Sequence, residues 1–173
     1  MERISEPALL LSQPKGPAHT HLSSEISAAS FTETVTRTMA DLAFSAAHNA
    51  RKTAMAGFTT VRDFGGDVTV ALGRAIEPGI TIGPHMVPSR DPIGITGGHC
   101  DGTGFAPGVG ERSPQDGVAD GPWAVVQAVR YQIKHGAQVI KVCATAGVLS
   151  LEGPVVADTK LGMSPLDTNE CVG

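Results

Sequence analysis

Residues 120–143 read DGPWAVVQAVRYQIKHGAQVIKVC and decide the fold class of this chain. Pro122 suits the first position of a helix, where its missing N–H is not needed. Apolar residues then recur at steps of three and four, and we expect them to form a buried stripe: Val125, Val126, Val129 and Ile133. Gly136 suits the end of that helix. Residues 137–143 follow as a nearly continuous apolar run, which is typical of a strand covered on both faces in a parallel sheet.

Helices and strands also alternate in the preceding part of the chain. Apolar residues at helical spacing predict a helix over residues 32–56, and a short strand over 57–63 follows it. A second helix is predicted over 68–76 with Asp67 as its N-cap, and an apolar stretch over 80–87 comes next. Strands that alternate with amphipathic helices indicate βαβ units and a parallel sheet. The fold class predicted from these patterns is therefore α/β.

Glycine and proline are concentrated in a long loop over residues 83–121. Loops of this length in a compact domain are usually functional or disordered. The ends of the chain have no helical or strand-like periodicity. We therefore expect an irregular N-terminal segment over residues 1–17, a folded unit over 18–150 and an irregular tail over 151–173.

The composition excludes several classes of protein. The chain has 173 residues and a net charge of −4, and it lacks the basic cluster that a nucleic-acid partner would require. The apolar stretch at residues 8–11 is too short for a membrane span or a secretory leader. Three cysteines without CxxC spacing predict neither a disulfide framework nor a zinc ribbon, and Cys143 is interpreted as a small buried hydrophobe. These features predict a cytoplasmic chain without nucleic-acid or membrane partners.

His19-Thr20-His21 is the first candidate site. On a strand, residues two positions apart point to the same side, so both imidazoles could bind one metal ion. Two histidines in a polar loop are the simpler alternative.

Lys141 is the second candidate because it is the charged residue of an otherwise apolar strand. A buried, unpaired ammonium is disfavoured, so the environment has to compensate it. The amine could serve as a Schiff-base nucleophile, or it could react with CO2 to give a carbamate that binds metal. Alternatively, the side chain extends along apolar surface and its ammonium reaches water.

The loop sequence Thr96-Gly97-Gly98-His99-Cys100-Asp101 is the third candidate. Its glycines permit close approach of the backbone, and His99 and Asp101 are candidate substrate-binding residues. The alternative is a structured loop with an exposed His99. Asp63, at the end of a predicted strand, could contribute to an active site or cap a turn, with Arg62 as its partner.

Four segments together resemble the amidohydrolase superfamily, in the branch that contains imidazolonepropionase-like enzymes, Xaa-Pro and Lys/Arg-directed dipeptidases, and ochratoxinase. They occur in this order: Ala18-His19-Thr20-His21-Leu22, Gly57-Phe58-Thr59-Thr60-Val61-Arg62-Asp63, Gly94-Ile95-Thr96-Gly97-Gly98-His99 and Val139-Ile140-Lys141-Val142-Cys143-Ala144-Thr145. The resemblance covers roughly residues 18–152. It implies a (β/α)8 barrel, of which this chain is roughly the first half, with a long Gly/Pro-rich loop.

The resemblance also implies the chemistry. The first-strand histidines of the family correspond to His19 and His21, and its carboxylated lysine corresponds to Lys141. One or two divalent metal ions, usually zinc, would activate a water that attacks the carbonyl carbon of a small amide or dipeptide-like substrate, and the C–N bond then breaks. The family has two further metal-binding histidines and a catalytic aspartate on later strands, and no histidine follows His135 here. The alternatives are a non-catalytic truncated fragment and a small metal- or ligand-binding α/β protein. The open edges of a half barrel favour self-association.

Overall fold

The computed structural model describes residues 19–27 and 30–144, so the predictions for residues 1–17 and 151–173 lie outside the described residues. Its regular elements are, in chain order, α1 (Ser30–Thr36), α2 (Met39–Met55), β1 (Thr60–Asp63), α3 (Asp67–Ile76), β2 (His85–Pro88) and α4 (Pro122–Lys134). A 3-10 turn over Pro114–Asp116 lies in the long loop. The chain is therefore a mixed α/β structure, and the half barrel stays a prediction.

The sheet is parallel, as the alternation of helices and strands predicts. β1 pairs with β2 in parallel, with Asp63 opposite Pro88. Thr20 forms a parallel bridge to Asp63 on the other side of β1. Beyond β2, Ile93 forms a parallel bridge to Val142, and the Ile93 amide donates to the Lys141 carbonyl at 2.8 Å. Four chain segments therefore lie side by side in their order along the chain.

The helix predicted over residues 32–56 is interrupted, and this prediction was wrong in its extent. α1 ends at Thr36, and α2 begins at Met39 after Thr38. The Thr38 side chain accepts the Asp41 amide while the Asp41 carboxylate accepts the Thr38 amide, which is a capping box. These reciprocal bonds satisfy amide groups that a continuous helix would bond internally, so a new helix starts here. α2 stops before Gly57, whose φ of 91° is the left-handed conformation that glycine tolerates.

Asp67 does not act as the predicted N-cap of α3. Gly66 occupies that position without a side-chain hydrogen bond, and Asp67 is the first residue of the helix. The Asp67 carboxylate instead pairs with the guanidinium of Arg90, which is buried and lies 5.6 Å from the centre of the Tyr131 ring. The tertiary ion pair thus takes the carboxylate that local capping would use, and it links α3 to the start of the long loop.

The later strands are shorter than the sequence predicts. The apolar stretch at residues 80–87 forms a strand only from His85 to Pro88, because the chain before it turns at the end of α3. Residues 137–143 contribute the bridge at Val142 and a hydrogen bond from the Gln138 amide to the Pro88 carbonyl at 2.7 Å. In the described chain, they therefore pair like the next parallel strand at isolated points and do not form a continuous ladder.

Two apolar clusters form the core. The first lies between α2, α3 and the sheet and contains Leu22, Ala46, Ala50, Val61, Val68, Leu72 and Met86. The second lies under α4 and contains Ile93, Ala119, Val125, Ala128 and Val129. Removing this apolar surface from water stabilises the packing of helices on the sheet.

The outer side of α4 is open. Val126 and Ile133, which the sequence predicts to be buried, are 37% and 56% exposed, and Trp123 is 86% exposed. The helical spacing alone cannot tell which apolar residues another element covers. None of the helices within the described ranges is long and apolar enough to cross a membrane. The predicted cytoplasmic location and self-association stay predictions.

Candidate metal centre

The two histidines of the His-x-His motif face each other beside β1. Their Nε2 atoms are 2.8 Å apart, and the ring centres are 4.9 Å apart. Both side chains are exposed, so the pair is open to solvent on one side. Two imidazole ligands of one tetrahedral zinc ion would have nitrogens roughly 3.3 Å apart, given Zn–N distances near 2.0–2.1 Å. A small opening of the pair, with loss of the hydrogen bond between the two Nε2 atoms, would therefore accommodate one divalent ion.

Asp63 holds the segment that carries the histidines. Its carboxylate is fully buried and accepts hydrogen bonds from the Thr20 hydroxyl and the Leu22 amide, both at 2.8 Å. Its second oxygen accepts the Gly65 amide at 2.9 Å. Burial raises the pKa of Asp63, while these hydrogen bonds act in the opposite direction. The carboxylate thus connects β1 to the residues on either side of His21.

Gly65 is required where the chain leaves β1. A Cβ at this position would lie 2.6 Å from Ser23 Oγ and 2.9 Å from Asp63 Oδ1. The Ser23 hydroxyl donates to the Gly65 carbonyl at 3.1 Å. The close approach of these two segments therefore depends on the absence of a side chain at Gly65.

Lys141 comes from the segment on the far side of β2 and ends near the histidines. Its Nζ lies 5.3 Å from the centre of the Phe64 ring, which also contacts His19 edge to face at 4.7 Å between ring centres. Lys141 is half-buried, so its ammonium is not fully enclosed in an apolar core. The carboxyl ends of neighbouring parallel strands meet at one edge of a sheet, which explains why residues far apart in the chain converge here.

The convergence leaves an incomplete set of metal ligands. Among residues 19–27 and 30–144, no three His, Cys, Asp or Glu side chains are placed to hold a metal ion together. A carbamate on Lys141 would add an oxygen ligand to the two imidazoles. The donor set of two imidazoles and one carboxylate-type oxygen suits a divalent transition metal, so the residues fit the group that the family resemblance implies.

The Gly-rich loop brings His99 near this edge. The charge of His99 contributes to a lowered pKa at His21, which indicates that the two side chains are close enough to interact electrostatically. Both oxygens of Asp101 accept backbone amides of the loop, from Gly97 and Gly102, each at 2.8 Å. Asp101 thereby stabilises the turn that carries His99. Substrate contact by these two residues stays a prediction.

The cysteines do not behave as the sequence predicts. Cys100 and Cys143 are joined by a disulfide, although their spacing suggests no framework and Cys143 was expected to act as a small hydrophobe. Both residues are buried. The bridge of Ile93 to the strand brings the start of the loop beside Cys143, and the loop then returns over it. A pairing across 43 residues depends on this tertiary path, which cysteine spacing does not encode.

The pKa values of both histidines lie below the ordinary value of 6.5. Partial loss of hydration is the main cause for each ring. The charge of Lys141 adds to the lowering, and the carboxylate of Asp63 opposes it. The neutral imidazole is the form that binds metal, so this environment favours the ligand form at neutral pH.

Acidification is therefore expected to destabilise the metal-free chain through the two histidines. Between the lowered folded pKa values and 6.5, the unfolded chain binds protons more readily, so the free energy of unfolding falls as the pH drops below 6.5. Urea unfolding at several pH values, in the presence of a chelator, should show a smaller pH dependence for the His19→Gln, His21→Gln double variant. His48→Gln changes an exposed histidine and serves as the control. Equal pH dependence in the double variant and the wild type would contradict the prediction.

Comparison with known proteins relates this chain to one protein family. The sequence profile of the Amidohydrolase family matches residues 18–157. This chain belongs to the amidohydrolase family. The match includes both histidines of the motif, the loop with His99, and Lys141.

The chain matches only part of the length of its named relatives. Ochratoxinase from Aspergillus niger is 36% identical over 107 residues, which cover 54% of this chain and 22% of that protein. A Xaa-Pro dipeptidase crystallised with methionine in its active site superimposes with a TM-score of 0.72 at 36% identity, over 80% of this chain and 35% of the dipeptidase. The crystal structure of A. niger ochratoxinase gives a TM-score of 0.65 at 27% identity, over 79% and 35% of the two chains. This amidohydrolase chain thus spans about a third or less of the length of these relatives.

Two contributors to the candidate centre were not predicted from the sequence, Phe64 and the disulfide. Phe64 contacts both histidines and Lys141, but a phenylalanine after a strand is not distinguished from a core residue by its sequence. The disulfide was not predicted because its two cysteines are 43 residues apart and meet only through the tertiary path of the loop. Asp63 was considered, with Arg62 as its partner, but the described residues contain no ion pair between them, and the carboxylate binds backbone and hydroxyl donors instead.

Proposed function

We propose that this chain forms the first part of a (β/α)8 barrel whose complete form hydrolyses C–N bonds with one or two divalent metal ions, zinc being the usual one. Membership of the amidohydrolase family supports the reaction class. The parallel order of the segments at Thr20, β1, β2 and Val142 supports the barrel arrangement. The names of the relatives, ochratoxinase and Xaa-Pro dipeptidase, favour a small amide or dipeptide-like substrate.

The observation that carries the proposal is the meeting of His19, His21 and Lys141 at one edge of the sheet. The imidazoles are in contact, and Lys141 Nζ lies over the same Phe64 ring that touches them. A metal ion bound there would supply a hydroxide at neutral pH by lowering the pKa of a bound water. His19 and His21 would hold the ion as neutral ligands, and Lys141 would contribute an oxygen after carbamylation.

The other residues of the site would position these groups. Asp63 fixes the backbone on both sides of His21 through its bonds to Thr20 and Leu22. His99 would contact the substrate from the loop, and Asp101 would keep that loop closed over two backbone amides. The disulfide ties the residue after His99 to the segment that carries Lys141, so it restrains the loop relative to this edge of the sheet.

Metal analysis of the purified, monodisperse chain tests the proposal. We expect zinc at close to one equivalent per chain after dialysis against excess zinc, because two imidazoles and a carbamate hold one ion. Lys141→Ala should reduce the content severalfold, and the His19→Ala, His21→Ala double variant should abolish it. Elemental analysis measures the zinc content of each variant. A second sample contains bicarbonate, which supplies the CO2 for carbamylation of Lys141.

Two exposed residues provide matched controls. Lys134→Ala removes a lysine at the end of α4, and His48→Ala removes a histidine from α2, and neither should change the zinc content. Zinc content that is unaffected by Lys141→Ala would overturn the role of the lysine and favour a small metal-binding protein with a histidine site. Absence of zinc from the folded wild-type chain would overturn the proposal and favour a non-catalytic fragment.

A further inference from the structure

One aromatic side chain touches every metal ligand proposed above. Phe64 follows β1 directly, and its ring lies 4.7 Å from the His19 ring and 6.3 Å from the His21 ring, in both cases edge to face. Lys141 Nζ lies 5.3 Å from the centre of the same ring. The three side chains come from two separate segments, and Phe64 lies between them.

The backbone keeps Phe64 in register with the histidines. Its amide donates to the Thr20 carbonyl at 3.0 Å, and the Thr20 amide donates to the Arg62 carbonyl at 2.9 Å. Thr20 is the residue between the two histidines. Because the bonds flank the parallel bridge of Thr20 to Asp63, a shift of Phe64 along the strand would break the pairing that orders the motif.

The contacts of the ring are directional. An aromatic edge carries partial positive charge and its face partial negative charge, so edge-to-face packing favours particular orientations of a neighbouring ring. The face also attracts the Lys141 ammonium in the metal-free chain, and carbamylation of the amine would remove this attraction. A leucine of similar volume would fill the space without these orientational preferences. The packing of the Phe64 ring therefore favours particular orientations of both imidazoles in the metal-free chain.

We propose that Phe64 is a positioning residue that restricts the orientations of the His19 and His21 rings, so that a small opening of the pair suffices to bind a divalent ion. The inference rests on the proposed metal site. Ligands that are already oriented lose less conformational freedom on binding, so the ring raises the affinity for metal without touching it. Groups that orient metal ligands typically change affinity by about 10–100-fold when they are removed.

The experiment compares Phe64→Leu and Phe64→Tyr in the full chain. Without metal, two-dimensional NMR of the imidazoles should show that Phe64→Leu shifts the His19 and His21 ring protons, because the ring current of Phe64 is lost. The ring protons of His48 and His135, far from Phe64 in the chain, are internal controls. Zinc titration should give an affinity about tenfold lower or more for Phe64→Leu. Phe64→Tyr keeps the ring and should restore both the shifts and the affinity.

A second phenylalanine in the loop gives the matched control. Phe105→Leu alters a half-buried ring that packs near Gly110 and should leave zinc affinity and the His19 and His21 shifts unchanged. If Phe64→Leu fails to fold, Phe64→Met supplies a folded variant without a ring. Unchanged imidazole shifts, or wild-type zinc affinity in a folded variant without the ring, would overturn the inference. If the wild type binds no zinc, the metal proposal fails and the inference fails with it; if the wild type binds zinc and the ringless variant binds it equally well, only the inference fails.

Discussion

Replacing Asp63 with alanine is expected to lower the free energy of unfolding by about 3 kcal/mol. The substitution leaves the amides of Leu22 and Gly65 without their acceptor, and it removes the acceptor of the Thr20 hydroxyl. Because the carboxylate is fully buried, water cannot easily replace it. Urea unfolding monitored by circular dichroism measures the change.

The Asp63→Ala substitution should also affect the histidine motif at the edge of the sheet. Thr20 and Leu22 flank His21, so their release is expected to disorder the histidine motif and to lower zinc content. Asp120→Ala is the matched control, because that carboxylate also accepts a backbone amide and a hydroxyl, both from Thr96, but is exposed. Its cost should stay below about 1 kcal/mol, since water can take over its hydrogen bonds. A similar cost for the two variants would contradict the role of Asp63.

Asp63→Asn separates charge from hydrogen bonding. Its amide oxygen can still accept, so we expect a smaller loss than for alanine. Burial raises the pKa of Asp63 above its ordinary value of 3.8, so the folded chain binds this proton more readily than the unfolded chain. The contribution of Asp63 to stability is therefore fullest below pH 3.8 and falls as the pH rises through the folded pKa. Asp63→Asn should remove that slope.

Replacing Cys100 and Cys143 together with serine is expected to lower the free energy of unfolding by about 4 kcal/mol. The disulfide closes a loop of 43 residues, so its absence gives the unfolded chain many more conformations. It also joins the neighbour of His99 to the strand of Lys141 across a region with little regular structure. Urea unfolding without reductant measures the difference.

The third cysteine provides the control. Cys171→Ser should leave stability unchanged, and a thiol reductant should bring the wild type to the level of the double variant. Denatured without reductant, the wild-type chain should react with about one equivalent of a thiol reagent, since two of its three cysteines are joined. Three reactive thiols in freshly purified protein, with equal stability of the double variant and Cys171→Ser, would contradict the disulfide.

Hydrophobic periodicity predicted most elements of the described fold. The helix ending before Gly57, the helix over 68–76 and the helix after Pro122 follow from spacing and from residues that start or stop helices. The break at Thr38 could also have been read, because Thr38 and Asp41 have the spacing of a capping box. The role of Asp67 could not be predicted from local sequence. Its carboxylate pairs with Arg90, which is 23 residues further along the chain.

The sequence suggested the candidate ligands and Asp63, but not Phe64 or the bonding partners of Asp63. His19, His21 and Lys141 were identified from a strand-like His-x-His motif, a charge in an apolar strand and a family resemblance. The contacts that orient them come from Phe64 and Asp63, two adjacent residues at the end of β1. The two side chains contact different neighbours because successive residues of a strand point to opposite faces of the sheet. Sequence does not reveal which neighbour each side receives.

The sequence by itself determined the α/β class, the family and the residue types able to bind a metal. Those properties depend on local periodicity and on short motifs, which a linear chain displays directly. The tertiary structure alone decided that the histidines meet Lys141 at one ring, that Cys100 reaches Cys143 and that part of the α4 stripe stays exposed. Each of these depends on distances between residues tens of positions apart, which only the packing of parallel segments into one sheet defines.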